Sequence, residues 1–170
     1  MNNNCGMELT FSVEKMQDIS IMGSKVSVTN GRCYVFYPYT SSRGFVGWNS
    51  YLTINLETAV NVKYTTQLNL LNNRKHILLN SNGNALATNS LSATLIQHTN
   101  PVSILRYNGE QGRPMSIYSA RISEGSEVVR EYFPCYRKED GAIGLFDVCT
   151  KTFLENQGGD TLSVGAGINW

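Results

Sequence analysis

Two carboxylates late in the chain, Glu131 and Asp147, are the residues whose type could support acid–base chemistry. Hydrolysis of a glycosidic bond needs two carboxyl groups about 5 to 9.5 Å apart in one cleft. No pattern in the sequence predicts that these two share a cleft. We therefore interpret them, with Arg130, as scaffold residues, and we expect Asp147 to accept backbone N–H bonds in the turn that follows it. The prediction is a protein that is not an enzyme, with a glycan-degrading enzyme as an alternative.

Few other side chains could react or bind a metal. The four cysteines, Cys5, Cys33, Cys135 and Cys149, match no zinc-binding spacing, and we expect free, mostly buried thiols. A disulfide between Cys135 and Cys149 stays open at this stage, because they bracket a loop and could approach each other. Neither histidine, His76 or His98, lies in a recognisable context for activating a nucleophile.

Charge and composition exclude several classes of partner. The net charge is +1 and only 16% of residues are charged, so no basic stripe for nucleic acid is present, and Arg74-Lys75-His76 is too short to be one. The four aspartates form no dense loop of oxygen ligands, so we predict no metal and no cofactor. No apolar run approaches the roughly 18 residues of a membrane span. Residues 1–6 lack the charged and apolar regions of a signal peptide.

The elements that must position any site are predicted to be β-strands. Short runs alternate apolar and polar residues, as in Met7–Val13, and no window longer than ten residues shows helical periodicity. We expect a single all-β domain over residues 1–170, an antiparallel two-sheet β-sandwich. Its remaining strands are predicted around residues 19–21, 26–28, 33–37, 45–48, 51–56, 60–64, 67–71, 75–79, 85–88, 102–107, 115–124, 128–133, 142–146 and 152–154.

Turn residues separate these strands. Asn30-Gly31 and Asn82-Gly83 are strong hairpin signals, and at Asn30-Gly31 we expect a type I′ turn, which needs positive φ at both central residues. Pro38 is predicted to end its strand because it cannot donate a ladder hydrogen bond, which leaves residues 38–44 as a flexible loop. Pro134 is expected to keep Phe133 out of the helical region and to end a later strand. Gly141 and Gly144 are expected where the backbone is tight.

Four motifs in the last third of the chain carry a resemblance to a known family. They are Ile117-Tyr-Ser-Ala-Arg-Ile122, Val129-Arg-Glu-Tyr-Phe-Pro-Cys135, Gly141-Ala-Ile-Gly-Leu-Phe-Asp147 and Lys151-Thr-Phe153. In this order and spacing they resemble the closing strands of concanavalin A-like, laminin-G-type jelly-roll domains, in the version found in bacteriophage tail and receptor-binding proteins. The match is specific over about 45 residues, from Ile117 onward, and upstream it extends only to the pattern of strands.

The resemblance implies a lectin-like module that binds a bacterial surface glycan and attaches a virion to its host. The partners implied are that glycan and other tail or baseplate subunits, with a homotrimer as one option for the oligomer, and the location implied is the phage tail or the extracellular space. The chain is either the whole domain or a fragment of a longer tail protein. Sugar sites on jelly rolls combine aromatic platforms with polar groups, and the candidates are Tyr39, Arg43, Trp48, Asn49, Asn82 and Tyr107. An assembly domain without a sugar site is the first alternative.

Overall fold

The structure is a computed structural model of the 170-residue chain. It describes the backbone of residues 5–15, 22–25, 32–40, 43–48, 50–55, 58–69, 75–90, 103–104, 115–156 and 162–163. Side chains are described in residues 5–15, 58–69, 75–90, 115–156 and 162–163. Statements about absent features below refer to these ranges.

The described residues form β-strands and turns and contain no helix, as the composition predicts. No helix that could cross a membrane is therefore found in this part of the chain. The strands are β1 (Cys5–Val13), β2 (Met22–Lys25), β3 (Arg32–Thr40), β4 (Arg43–Trp48), β5 (Ser50–Asn55), β6 (Tyr64–Asn69), β7 (Lys75–Leu79), β8 (Ala85–Ser90), β9 (Ser103–Ile104), β10 (Met115–Glu124), β11 (Glu127–Tyr136), β12 (Ile143–Asp147) and β13 (Thr152–Glu155).

An eight-stranded antiparallel sheet contains most of the described side chains, in the order β13-β12-β11-β10-β1-β6-β7-β8. Two meanders, β6-β7-β8 and β10-β11-β12-β13, are each built from consecutive hairpins. Strand β1 joins them, since it pairs with β10 on one side and β6 on the other. Five further strands pair antiparallel in the order β5-β4-β3-β2-β9.

One face of the large sheet is the core. In β1 the odd-numbered residues from Cys5 to Val13 are all buried, with Leu9 fully inaccessible and Phe11 1% exposed. The register places Ala120 of β10 and Thr66 of β6 beside Leu9. Each fully buried aliphatic or aromatic side chain of this kind contributes about 1.5 to 3 kcal/mol of hydrophobic free energy. Other buried members of this face are Tyr64, Leu68, His76 and Leu78.

Several predicted elements differ from the structure. The described residues of the predicted 38–44 loop are strand residues, because β3 continues to Thr40 and β4 begins at Arg43. Pro38 pairs with Gly44, and the register shift that follows makes Tyr39 the extra residue of a β-bulge. The ladder between β2 and β3 ends at Val35, and a strand unpaired on one side tolerates proline.

Pro134 also lies within a strand rather than at its end. Val148 N donates to Glu131 O at 2.9 Å, so in β11 the odd-numbered residues exchange hydrogen bonds with β12. Residue 134 therefore points its backbone nitrogen to the other side, where pairing with β10 has ended at Tyr132. The proline thus removes no ladder hydrogen bond.

The strand predicted over residues 60–64 is wrong. Val60 and Val62 are exposed, and Asn61 between them has a φ of 58°, a left-handed conformation that no strand contains. Asn61 N donates to Val13 O at 2.7 Å, and Ala59 N donates to the Tyr64 hydroxyl at 2.8 Å. These hydrogen bonds stabilise the turn that precedes β6.

The Asn82-Gly83 hairpin is confirmed, although its loop has three residues. Gly83 N donates to Asn80 O at 3.0 Å and Asn80 N donates to Asn84 O at 2.9 Å. Gly83 alone takes a positive φ, of 79°, which is the arrangement of a type I turn closed by a left-handed glycine. The Asn80 carboxamide reinforces it by accepting from the backbone N–H groups of Asn82 and Asn84. The Asn30-Gly31 turn lies outside the described residues.

Asp147 organises the turn between β12 and β13, as predicted. The side chain is almost fully buried, and its Oδ1 accepts from Glu131 N at 3.2 Å and Cys149 N at 3.0 Å. Its Oδ2 accepts from the Thr150 hydroxyl at 2.7 Å. Burial alone would raise the pKa of Asp147, but these hydrogen bonds outweigh it and leave the pKa below its ordinary value.

Both glycines of the Gly141–Asp147 motif are required by the backbone. Gly141 has a φ of 73°, in the left-handed region. At Gly144 a Cβ atom would collide with the backbone carbonyl of Leu154 on the adjacent strand. The prediction of tight geometry at these two positions is confirmed.

We expect Asp147→Ala to lower the free energy of unfolding by on the order of 3 kcal/mol, because three donors lose a buried charged acceptor. Urea unfolding monitored by fluorescence measures the change. Asp140→Ala is the matched control, since Asp140 is an exposed turn carboxylate that contacts Arg137 and Ala142 N. Equal losses in the two variants would contradict the anchoring role of Asp147.

Buried His76 predicts a second, pH-dependent effect. The side chain is inaccessible, its Nε2 lies 2.8 Å from the Thr66 hydroxyl, and burial lowers its pKa from 6.5 to about 4. The neutral form is favoured by folding, so this contribution to stability is complete above pH 6.5 and is lost as pH falls toward 4. The expected loss is on the order of 3 kcal/mol.

Urea unfolding at half-unit intervals from pH 7.5 to 4 tests this expectation. His76→Gln should flatten the pH dependence in this window, whereas His98→Gln, which removes the other histidine, should leave it in place. If the pH dependence persists in His76→Gln and disappears in His98→Gln, His98 causes it and the role given to His76 is contradicted.

Candidate functional site

Three of the six residues predicted to contact a ligand lie on strands of the smaller sheet. Tyr39 is in β3, and Arg43 and Trp48 are the first and last residues of β4. The register pairs Thr40 with Arg43, so the backbones at Tyr39 and Arg43 meet at the end of one hairpin. Trp48 lies at the opposite end of β4, about 16 Å away along the strand.

The other three predicted residues are more dispersed. Asn82 is exposed on the turn between β7 and β8 of the large sheet. Asn49 and Tyr107 lie outside the described residues. The six residues therefore remain a prediction as a set, with only Tyr39 and Arg43 brought together by the strand pairing.

A different candidate lies on the large sheet, on the face opposite the core. A row of polar side chains crosses four adjacent strands there: Gln67 on β6, Glu8 on β1, Arg121 on β10 and Glu131 on β11. Gln67 Nε2 donates to Glu8 Oε2 at 2.6 Å, and Arg121 Nε donates to Glu131 Oε1 at 3.1 Å. Arg121 Nη1 lies 3.8 Å from Glu8 Oε1, which is an ion pair without a short hydrogen bond.

A depression of about 230 Å³ opens beside this row. We call it the Gly6 depression, and its lining is Gly6, Met7, Glu8, Gln67, Leu68, Asn69, Arg121 and Ser123. Pockets for drug-sized ligands begin at roughly 300 Å³, so the size favours a small polar group or a single ring over a large cofactor. Carboxylate, carboxamide, guanidinium and hydroxyl groups together offer both donors and acceptors to such a group.

Gly6 contributes to the depression by having no side chain. A Cβ atom at this position would collide with the hydroxyl oxygen of Ser123 on the neighbouring strand, and it would meet Leu68 O at 3.7 Å. The absence of a side chain thus makes room for the Ser123 hydroxyl over the backbone of β1. The lining residues lie on β-strands, and sites on strands hold their geometry better than sites on loops.

The charged groups of the row are partly exposed. The side chains of Arg121, Glu8 and Glu131 are 45%, 29% and 23% exposed. Hydrogen bonding to Glu131 raises the pKa of Arg121, with smaller contributions from the charges of Glu131 and Glu8. Water therefore reaches this surface, and ion pairs of this exposure contribute about 0 to 1 kcal/mol each to stability.

A β-bulge places Tyr118 at the far end of the same face. Between Thr10 and Phe11 the pairing partner changes from Ser119 to Ile117, which makes Tyr118 the extra residue. Its hydroxyl lies 3.2 Å from the hydroxyl of Ser12, and Lys63 Nζ lies 4.7 Å from its ring centroid. Simple alternation along β10 would place Tyr118 on the face of Ala120 and Ile122, and the bulge moves it to the polar face instead.

The carboxylates Glu131 and Asp147 do not share a cleft. Glu131 is opposite Arg121 on the polar face, whereas Asp147 is opposite Tyr132, the next residue of β11, whose side chain points to the other face. Glu131 is engaged with Arg121 and Asp147 with its turn. Each contact is one that a scaffold residue makes.

The thiols of the described part of the chain are free. Cys5 is buried and burial raises its pKa to about 11, whereas Cys135 is half-buried and Cys149 is exposed, so the expectation of mostly buried thiols holds only for Cys5. Cys135 is opposite Gly144, and Cys149 lies beyond the pair formed by Tyr132 and Asp147. This separates them by more than about 10 Å along the strands, too far for a disulfide. Within the described ranges no three potential metal ligands cluster.

The sequence of β1 contains a pattern that predicts this polar face. The even-numbered residues Gly6, Glu8, Thr10 and Ser12 are small or polar and alternate with the core residues of β1. Their alternation predicts a polar face, but the partners from β6 and β10 come from residues about 60 and 115 positions away. Only the register reveals that Gln67, Arg121 and Ser123 join them.

We expect Arg121→Met to stay folded and to lose less than about 1 kcal/mol of unfolding free energy, because its ion pairs are exposed. Urea denaturation at low and high salt measures this loss, with Arg137→Met as a comparison because Arg137 also pairs with two carboxylates, Asp140 and Glu155. A loss above about 3 kcal/mol would show that the polar row is a structural network rather than an available surface.

Comparison with protein-family models, with curated proteins and with solved structures finds no match to this chain.

Proposed function

We propose that this domain is a non-catalytic binding module that recognises a bacterial surface glycan as part of a phage tail or a tail-like assembly. The observation that carries the proposal is the Gly6 depression, an open polar recess on the exposed face of the large sheet. The four motifs between Ile117 and Phe153 support the tail context by resemblance. In this context the partners are the glycan and other tail or baseplate subunits.

The proposal includes a jelly-roll architecture, in which the five-stranded sheet stacks on the core face of the large sheet. Two features support it. The core side chains of β1, β6 and β7 are buried to within a few per cent, which requires a covering layer, and β5 lies close to β8. Both sheets are antiparallel throughout, as in sandwiches of this class.

The chemistry of the Gly6 depression suits a sugar. Saccharide hydroxyls both donate and accept hydrogen bonds, and the lining offers the Glu8 carboxylate as acceptor, the Gln67 carboxamide as either, and the Ser123 hydroxyl as either. The depression is shallow, and its groups remain hydrated in the free protein. Such sites bind through several modest hydrogen bonds and gain strength when a tail presents many copies.

The residues predicted from sequence define a second, separate surface. Tyr39 and Arg43 lie at the end of the β3–β4 hairpin, and they form the part of the predicted set whose backbones are adjacent. A comparison of the two surfaces decides which of them binds. Because they are on different sheets, variants in one should leave the other intact.

We expect the purified domain to bind a subset of polysaccharides on an array of bacterial surface glycans. The double variant Gln67→Ala/Ser123→Ala should reduce this binding at least tenfold, because it removes two lining side chains, and Tyr39→Ala/Arg43→Ala should leave it within twofold. Biolayer interferometry with the strongest glycan quantifies both variants.

The opposite pattern, with loss only in Tyr39→Ala/Arg43→Ala, would move the site to the β3–β4 hairpin. An array on which the wild-type domain binds nothing would contradict the binding function itself. Release of oligosaccharides from a bound glycan would contradict the non-catalytic assignment.

An assembly domain without a sugar site is the second candidate, and exposed apolar side chains favour it. Strands β11 and β13, with the turn after β12, expose Phe133, Tyr136, Val148 and Leu154, each at 40% or more. Phe133 lies on one face of this sheet edge and Tyr136 and Leu154 lie on the other, so a protein partner that covers these side chains would enclose the edge. This function predicts a stable oligomer, such as a trimer, in sedimentation together with an array that shows no glycan binding.

A further inference from the structure

The proposed function leaves the class of glycan open, and the charges around the Gly6 depression bear on it. Arg121 is the only cation among the lining residues. Two carboxylates already engage it. Glu131 accepts from Arg121 Nε at 3.1 Å and from Arg121 Nη2, and Glu8 lies 3.8 Å from Arg121 Nη1. The local group of Arg121, Glu8 and Glu131 thus carries a net charge of −1.

Among the lining residues an acidic sugar would find no cation except this paired arginine, and Lys75, opposite Asn69 on the same face, lies outside the lining. A carboxylate or phosphate placed in the recess could approach Arg121 through Nη1, which makes no short hydrogen bond. It would then lie beside the Glu8 carboxylate, with Glu131 already bound to the other side of the guanidinium. Like charges this close repel, and partial burial reduces the screening by water and salt. The arrangement therefore disfavours anionic ligands.

Glu8 is instead positioned as an acceptor. Its Oε2 accepts from Gln67 Nε2 at 2.6 Å, while Oε1 has only the long contact with Arg121 among the described residues. Glu8 lines the depression, and its Oε1 can accept a hydrogen bond from a hydroxyl or an ammonium group. Charge-assisted hydrogen bonds of this kind are about twice as strong as neutral ones.

We infer that the Gly6 depression selects saccharides that present hydroxyl or amino donors and carry no carboxylate or phosphate, and that Glu8 is the residue that determines this preference. The inference rests on the proposed glycan-binding function. It names Glu8 as the specificity residue, with Arg121 holding the carboxylate of Glu131 out of the recess.

The test sorts the bound members of a bacterial glycan array into neutral, amino-bearing and acidic groups. The wild-type domain should bind neutral and amino-bearing members and no acidic ones. Glu8→Gln should weaken binding of the strongest member about tenfold, because a neutral carboxamide accepts less strongly. Glu127→Gln, a matched change at an exposed strand end outside the depression, should leave binding within twofold.

Glu8→Gln should also admit acidic glycans, since it removes one of the two negative charges beside Arg121. Acidic glycans that bind the wild-type domain and are lost in Arg121→Met would overturn this inference while leaving the glycan-binding function intact. An array with no bound member would instead contradict the proposed function. Thermal melting of each variant confirms that it is folded before its binding is compared.

Discussion

The register of β1 between β10 and β6 is the constraint on which the rest of the structure depends. Strand β1 is central in the eight-stranded sheet, and both of its neighbours come from distant parts of the chain. A shift by one residue would turn Leu9 and Phe11 to the solvent and bring Glu8 and Thr10 into the core. The cost of exposing the apolar set and burying the charge enforces a single register, and that register creates the polar face.

Local devices support this register at the ends of the strands. The Asn80 carboxamide and left-handed Gly83 close the β7–β8 hairpin, and buried Asp147 closes the turn after β12. On the polar face, the hydroxyls of Thr10 and Thr65 lie 2.9 Å apart across β1 and β6. Each device acts on one strand pair, and the threonine contact acts on the pair that brings Gln67 beside Glu8.

Much of the fold could be predicted because it is encoded in local patterns. Alternation correctly predicted strands such as Met115–Glu124. The residue types alone predicted the turns at Asn82-Gly83 and after Asp147. The predictions were wrong where tertiary pairing overrode a local sequence rule. Pro38 and Pro134 lie inside strands, and a bulge reverses the face of Tyr118.

The candidate site could not be predicted in the same way. Its lining comes from β1, β6 and β10, whose adjacency depends on long-range pairing that single-sequence alternation does not specify. Sequence reasoning instead predicted aromatic residues near turns, such as Tyr39 and Trp48, because aromatic platforms are typical of sugar sites. The role of Gly6 can be recognised only once its neighbours are known, since its lack of a side chain accommodates the Ser123 hydroxyl of the adjacent strand.

The most direct measurement of the central claim is a titration of isotope-labelled protein with oligosaccharides prepared from bacterial surface polysaccharide, followed by backbone amide NMR. Glycan binding at the Gly6 depression predicts chemical-shift changes concentrated in its lining, in Gly6, Glu8, Gln67, Asn69, Arg121 and Ser123. Shifts confined to residues 38–44 and the Asn82 turn, with the polar face of β1 unchanged, would contradict it.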